Sequence, residues 1–540
     1  MKQKIIKILK TSLIDLGYPN IDPIIQKPKH EKDADFATNI AFILSKKINK
    51  NPVDIAKSIK HQIESNDFFN SITVAGPGFI NLKINPNHIV NELKEIISSK
   101  NNYGRNNHGE GQKVLVEFVS ANPTGPLTVG HGRGAILGDV ISNIYTWNGY
   151  KVDREYYYNN AGRQMRKLGE SVYVRYLELC NQTCDFPEGG YKGKYIIDIA
   201  SKIKNEHGTS LIDESNNDIF KNEAESFIFK NIKNTLKNIR LEFDSFYNEN
   251  DLYKSKKIDY VIEQLKKKNL IYKKDGALWY EGTKVGRDTD RVLIKSTGEP
   301  TYRLPDMAYH TTKFDRGYDI CVDIFGADHM DAYPDILSVL EQLGYSSNKV
   351  KVLIHQFISI LQDGKPVKMS TREANFITLN ELIEDVGADV VRYFFIMRNI
   401  NSHLNFDLKI AKEKSENNPV YYIQYCHARI SNLLNKSDLN KLDLNKINLN
   451  LLIKESELRL IQKLVDFNEL ILKLIESHEP QLLANYLHEL ASMFHKYYAH
   501  NRILNDNKEL SNSRLVLSSA VQIIIKNGLN ILGISQPDRM

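Results

Sequence analysis

The sequence predicts a multidomain α/β protein: a central domain on a parallel sheet with a helical insertion, a small α+β domain before it and an α-helical bundle after it. Three observations lead there. Apolar, β-branched runs (KVLVEFVSA, RVLIKS, DICVDIF, KVLIHQFIS) alternate with helical stretches such as AYPDILSVLEQLG over residues 107–395, the alternation that builds a parallel sheet. From about Asn380 onward the apolar residues keep helical spacing almost throughout. Finally, 540 residues exceed what one core accommodates, so two to four domains follow from length alone.

Taken in order, residues 1–106 open with the helical IIKILKTSLIDLG and NPVDIAKSIKHQI, then SITVAGPGFINLKI, a strand pattern broken at Gly76, Pro77 and Gly78. The polar, Gly- and Asn-rich NNYGRNNHGEGQ reads as a linker. The central domain then begins with a buried strand, a Gly/Pro loop (NPTGP) and a helix from GHGRGAILGD. A Lys-rich stretch over residues 156–280, with AESFIFKNIKNTLKNIRLEF and YVIEQLKKKNLI, reads as a helical insertion between two half-domains. Residues 396–540 carry helical patterns such as PVYYIQYCHARISNLL and LLANYLHELASMFHKYYAH, the makings of a bundle.

Composition is that of a folded chain, 41% hydrophobic and 26% charged, which excludes an intrinsically disordered protein. The 72 Lys and Arg against 66 Asp and Glu leave net +6, a mild excess compatible with a polyanionic partner. No apolar run reaches the roughly 20 residues of a membrane span. At the N-terminus, MKQKIIKILKTSL interrupts its apolar residues with lysines, the pattern of an amphipathic helix rather than a signal peptide. Cys180 and Cys184 form a C-x3-C pair, but Cys321 and Cys426 stand apart, so no four-ligand zinc pattern is complete. Four buried thiols, no zinc and a reducing, cytoplasmic location are the expectation.

Two motifs carry chemistry. Thr128, Val129, Gly130 and His131 stand where a buried strand gives way to a helix, and a helix N-terminus approached through glycine can hold phosphate oxygens. A dinucleotide fingerprint competes for Gly130, Gly132 and Gly134, with Asp153 as its acidic residue, but Gly134 falls one place early. The second motif, Lys368-Met-Ser-Thr-Arg372, is a cationic loop able to stabilise charge on a transferring phosphoryl group.

HIGH-type and KMSKS-type signatures in this order, split by an insertion, resemble the class I aminoacyl-tRNA synthetases, whose catalytic domain is a Rossmann-type sheet. VEFVSANPTGPLTVGHGRGAILGD followed by YYNNAGRQ resembles the arginyl members, as do DADFATN, AGPGFINL, DTDRVLIKSTGEPTYRLPD, FGADH, VGADVVRYFF, NPVYYIQYCHARI and the closing QPDRM. These matches extend over essentially the whole chain. A non-catalytic RNA-binding relative and a small-molecule nucleotidyltransferase or dehydrogenase are the alternatives; the first is disfavoured by intact motifs, the second by the two flanking domains.

The resemblance implies an arginine–tRNA ligase that uses ATP, with Mg2+ accompanying the nucleotide, and has L-arginine and tRNA(Arg) as substrates, acting as a monomer without DNA or membrane partners. It assigns Glu117, Ser120, Asn122, Tyr302, Asp306 and His329 to arginine, and Thr128, Gly130, His131, Lys368, Met369 and Ser370 to ATP, with His131, Lys368 and Arg372 as electrostatic catalysts. Carboxylates suit the task, because a guanidinium is planar and always charged and asks for forked hydrogen bonds. Tyr302 and Asp306, four apart, are expected on one helix face with Pro305 in the first turn. Three departures stand out: Thr128 replaces the first His of HIGH, Thr371 stands at the second Lys of KMSKS, and Gly125 occupies a position where some relatives carry a compensating Lys. Lys368 is therefore expected to matter more than usual.

For tRNA, the resemblance gives the elbow to the N-terminal domain, with Phe36 and Asn39 as candidates, and the anticodon to the bundle. Tyr421, Tyr422, Tyr425, His427 and Arg429 cluster in sequence and Tyr497 and Tyr498 recur later; Tyr421, Tyr425, Arg429 and Tyr498 are the chosen readers, since unpaired bases are read by stacking and edge hydrogen bonds.

Overall fold

In a computed structural model of the chain, residues 1–28, 34–215, 218–327, 330–367, 377–437 and 444–540 are described. Asn-Pro pairs start three helices, Pro52–Ile63, Pro86–Ser99 and Pro419–Asn435. In each the Asn side chain accepts a first-turn amide and the Pro sits where its missing N–H costs nothing. The interrupted strand pattern of the N-terminal unit is a hairpin, Phe69–Ala75 against Phe79–Ile84, turning through Gly76 and Gly78, both at positive φ. It belongs to a four-stranded antiparallel sheet covered by helices.

The centre is a five-stranded parallel sheet. Numbered along the chain as Lys113–Glu117, Lys151–Tyr158, Ser245–Asn248, Ile320–Gly326 and Val350–His355, its strands lie in the order 3-2-1-4-5. Chain direction of winding reverses between the first and fourth strands, and ligand crevices in such sheets open at the carboxyl ends on either side of that reversal. Helix Val129–Trp147 packs there, buried nearly all round. Its glycines permit the approach: a Cβ on Gly138 would lie 2.1 Å from the Phe118 ring, and one on Gly132 2.6 Å from Leu379.

The sheet differs from expectation at three points. RVLIKS does not join it; Asp275-Gly276, both at positive φ, close a hairpin of Ile271–Lys274 with Ala277–Tyr280, and Arg291–Ile294 adds antiparallel to the free edge of Ala277–Tyr280 in this separate sheet. KVLIHQFIS divides at Gln356-Phe357, its second half Ile358–Gln362 pairing with Leu404–Asp407. The stretch read as one helical insertion is divided by the sheet strand Ser245–Asn248, leaving the helices Gly162–Leu179, Lys194–His207 and Asp218–Asn238 as a crossover of their own.

The C-terminal helices Pro419–Asn435, Glu455–Ser477, Gln481–His500 and Lys508–Ile531 form a bundle that packs back on Pro86–Ser99 and the linker, where Asn527 bonds the carbonyls of Lys100 and Tyr103. Fully buried Arg392 ties the bundle to the sheet domain by bonding Asp139 and the carbonyls of Ile239 and Leu532. The cysteines are not all buried: Cys321 and Cys426 are, Cys180 is half-buried and Cys184 is exposed, because both lie at the solvent end of an insertion helix. Among the described residues no helix is long and apolar enough to cross a membrane.

Candidate active site

A cavity of about 540 Å³ opens at the carboxyl ends of the first, second and fourth strands. The first strand delivers Glu117 to its floor, and the chain then turns sharply. Ser120 donates its amide to the Phe118 carbonyl (2.9 Å) across Val119, which lies at φ +69°, the strained form of a γ-turn. The turn aims the Ser120 hydroxyl back at Glu117 Oε1 (3.0 Å), while Ser120 Oγ itself accepts the Tyr157 amide (3.2 Å).

Behind Glu117 lies a buried network. Lys313 donates to Glu117 Oε2 (2.7 Å) and Asp323 Oδ1 (2.6 Å), and His310 bridges the Asp306 carbonyl (2.7 Å) and Asp323 Oδ2 (2.9 Å). His310 Nε2 also lies 3.4 Å from Lys313 Nζ, so the imidazole is enclosed within the same network. Burial alone would raise the Asp323 pKa, but Lys313 and His310 hold it well below the usual carboxylate range. Glu117, His310 and Asp323 have metal-ligand spacing, yet the Lys313 ammonium occupies the place a cation would take between the two carboxylates.

Asp306 differs. It stands at the fourth position of helix Arg303–Asp315, with Pro305 in the first turn, and its carboxylate has no hydrogen-bond partner among the described residues. Crowded by protein yet open to the cavity, it is pushed up to about 7 by burial, with Glu117 and Glu249 adding to the shift and His310 and Lys313 opposing it. Glu249, also lining the cavity, accepts from Tyr157 (2.8 Å) and Asn159 (2.7 Å), and burial raises its pKa as well. Four carboxylates, Glu117, Glu249, Asp306 and Asp323, gather around the single Lys313 ammonium among the described residues, so the site has more acidic groups than cations and suits a cationic ligand.

The opposite wall is the start of helix Val129–Trp147. The Thr128 amide donates to His131 Nδ1 (3.0 Å) and the Thr128 hydroxyl lies 3.1 Å from the same nitrogen, so the neutral ring carries its proton on Nε2. Gly130 has only the Thr128 hydroxyl near its would-be Cβ, at 3.6 Å, leaving the first turn open to a ligand. Fully buried Arg133 braces this helix by donating to the carbonyls of Gln356 (2.7 Å), Ser402 (2.9 Å) and Asn399 (3.0 Å), which positions the cavity-lining Gln356 and Phe357.

Of the residues singled out in the sequence, Glu117, Ser120, Asn122, Thr128, Gly130, His131, Tyr302 and Asp306 line this one cavity. Tyr302 is 56% exposed at the helix start. Asn122 accepts the Asn159 amide (3.0 Å) and donates to Gln164 (2.9 Å). Lys368, Met369, Ser370, Thr371, Arg372 and His329 lie outside the described residues. Sequence reasoning missed Glu249, Tyr157, His310, Lys313 and Asp323; the signal for the last was a single acid within the apolar strand ICVDIFG.

In the bundle, Tyr421, Tyr425, Arg429 and Tyr498 meet. The Tyr421 and Tyr425 rings stack (6.2 Å between centroids), and the Arg429 guanidinium lies over Tyr425 (4.6 Å) and Tyr498 (5.0 Å). Arg429 bonds His495 (2.9 Å) and has no acidic partner among the described residues. His427 and Tyr497 are core instead: the first lies against the Pro537 carbonyl, the second against Glu457. Phe36 is corrected: at 2% exposure it is packed into the core under the N-terminal sheet and cannot stack on a base, while Asn39 is half-buried beside it.

Three family models match: "Arginyl tRNA synthetase N terminal domain" over residues 2–84, "tRNA synthetases class I (R), catalytic domain" over 92–399 and "DALR anticodon binding domain" over 423–540. The chain is 47% identical over 520 residues to the arginine–tRNA ligase of Desulfotalea psychrophila, spanning 96% of this chain and 94% of that one. It is 46% identical over 544 residues to that of Chlorobium phaeobacteroides, spanning 99% of both. The crystal structure of Thermus thermophilus arginyl-tRNA synthetase superposes over 100% of both chains with a TM-score of 0.78 at 20% identity, a likeness of fold.

Proposed function

The chain belongs to the class I arginyl-tRNA synthetase family, and from that premise we infer that it is an ATP-dependent arginine–tRNA ligase. The observation that carries this reading is Asp306: a carboxylate without a partner among the described residues, beside Glu117, in a cavity rich in acidic groups with an open helix start across from it. A guanidinium supplies what the acidic wall lacks, and ATP suits the other.

Arginine's own carboxylate is ionised at neutral pH, so its attack on the α-phosphorus of ATP needs alignment and charge stabilisation rather than a general base; pyrophosphate leaves and arginyl adenylate forms. A hydroxyl of the tRNA 3′-terminal ribose then attacks the adenylate carbonyl, and AMP departs. Asp306 takes the guanidinium, with Glu117 held in place by Lys313 and Tyr302 at the mouth. Ser120 has spent its proton on Glu117 but keeps a lone pair for the α-ammonium, and Asn122 keeps one amide hydrogen for the α-carboxylate. His131, through Nε2–H, acts on phosphoryl oxygens, with Lys368 and Arg372 supplying cationic charge and His329 assigned to arginine.

Magnesium enters with ATP, held by phosphates and water. No zinc role is assigned, since buried Cys321 lies in the sheet and buried Cys426 in the bundle. The Tyr421, Tyr425, Arg429 and Tyr498 platform reads unpaired anticodon bases and Asn39 lies on the elbow-binding unit. We place the enzyme in the cytoplasm as a monomer without DNA or membrane partners.

The test is aminoacylation of total tRNA with each amino acid and ATP; absence of arginine incorporation overturns the reading. Asp306→Asn should raise the arginine KM with ATP handling intact, and His131→Ala should lower kcat rather than ATP affinity.

A further inference from the structure

The motif YYNNAGRQ is only half used by the active site. Its residues leave the second sheet strand beside the end of the third, and the two strand ends pair twice in succession. Asn159 donates to Glu249 (2.7 Å) on the wall of the arginine cavity; one residue on, Asn250 donates to Asn160 (2.6 Å), and that pair lines a second cavity of about 430 Å³. The two cavities therefore share a wall one residue thick. Helix Gly162–Leu179 begins on it and serves both: Gln164 meets Asn122 in the first cavity (2.9 Å), while Gly162, Met165 and Arg166 line the second.

The second cavity is polar. Asn160, Asn222 and Asn250 supply side-chain amides, Asn160 is held by Glu225 (2.7 Å), and Lys221 is paired to Asp218 (2.8 Å). Arg163 and Arg166, both exposed, meet no carboxylate among the described residues, and nothing lies within 4 Å of a would-be Cβ on Gly162. Of the two, Arg166 lines the cavity, and a guanidinium beside amide donors and acceptors fits a phosphodiester joined to a base, while the volume suits one nucleotide.

We propose that this second cavity receives the unpaired nucleotide preceding the terminal one at the 3′ end of the RNA substrate. Arg166 meets its phosphate, and Asn222 and Asn250 meet its base edge. The proposal rests on the ligase reading, which brings the terminal ribose into the first cavity; the shared wall leaves the adjoining nucleotide the second. The NNAGRQ turn thereby couples the RNA end to Asn122 and Glu249 in the arginine cavity.

The test uses full-length tRNA(Arg) carrying the fluorescent base pyrrolocytosine at the penultimate 3′ position, with the full chain and its variants Arg166→Ala, Asn222→Ala and Arg166→Lys. Binding to the wild type should change the base's fluorescence as it leaves the stack. Arg166→Ala and Asn222→Ala should lose that change and lower kcat/KM for tRNA at least about fivefold, with the arginine KM unchanged, and Arg166→Lys should retain most of the signal. No fluorescence change with the wild type, or an undiminished change and unaltered kcat/KM in both alanine variants, overturns the proposal. Charging is measured in parallel: a wild type that gives the fluorescence change yet loads no arginine refutes the ligase reading while upholding the cavity.

Discussion

Lys313 Nζ stands 2.7 Å from Glu117 Oε2 and 2.6 Å from Asp323 Oδ1, joining the ends of the first and fourth sheet strands through one enclosed ammonium. Burial would lower its pKa, but Asp323 and Glu117 hold it above the ordinary lysine value. Removing the ammonium strands two buried carboxylates at the switch point of the sheet. Lys313→Met should cost about 3–5 kcal/mol of stability, seen as a lower urea midpoint for loss of the sheet domain. An unchanged midpoint would mean that the strand ends are held by other contacts.

If Asp306 takes the guanidinium as proposed, arginine binding should depend on pH. Burial leaves its pKa at about 7 in the free protein, and a guanidinium pairs only with the ionised form. The sign follows: this is an acid whose folded pKa is raised, so below about 7 the carboxyl is protonated and arginine must displace a proton, weakening affinity about tenfold per pH unit, whereas above it affinity levels off. Calorimetry of arginine binding at about pH 6 and pH 8 in buffers of different ionisation enthalpy reads both affinity and proton release. A dissociation constant flat across that range removes Asp306 from the guanidinium site.

How much of this was legible depended on whether a feature is local. Asn51-Pro52, Asn85-Pro86 and the Gly76–Gly78 turn act through neighbours in sequence and could be read directly. Glu117 and Asp306, 189 residues apart (306 − 117), were brought together through the family pattern, not through spacing. Lys313, His310 and Asp323 escaped because a buried charge network looks in sequence like scattered surface polarity until a partner 196 residues away is known to lie 2.7 Å off. RVLIKS departs from the parallel sheet for the opposite reason: the edge of the nearby Ile271–Tyr280 hairpin offers an antiparallel partner without the long crossover that a parallel pairing needs.

Gly138 is a packing glycine. An alanine there would gain about 1 kcal/mol of helix propensity, but its Cβ would fall 2.1 Å from the enclosed Phe118 ring, and such overpacking costs roughly 1–3 kcal/mol or more. Gly138→Ala should therefore lower the melting temperature, and because Phe118 directly follows Glu117 it should also raise the arginine KM. A variant at least as stable as the wild type would show that Phe118 repacks freely.

Asp335, almost wholly buried, receives Arg287 (3.1 Å), Arg291 (3.2 Å) and Arg303 (3.3 Å). Arg303 opens the helix that carries Asp306, so the cluster holds the hairpin sheet and that helix in one arrangement. Asp335→Ala leaves three guanidinium groups converging without a counter-charge and should raise the arginine KM while leaving the tRNA KM near its original value. Equal change in both constants would mark a general loss of fold instead.

Arg429 supplies the last test. Its guanidinium joins Tyr425 and Tyr498 into one surface and carries a charge that no acid among the described residues neutralises, and it does not line the cavity that holds Glu117 and Asp306. Loss of one stacking or cation–π contact to a base costs about 1–3 kcal/mol, so Arg429→Ala should raise the tRNA KM by about one order of magnitude with the arginine and ATP KM values unmoved. The effect should shrink as salt rises, because screening weakens the contribution that the Arg429 charge makes in the wild type. A tRNA KM equal to that of the wild type would return these tyrosines to the role of ordinary bundle packing.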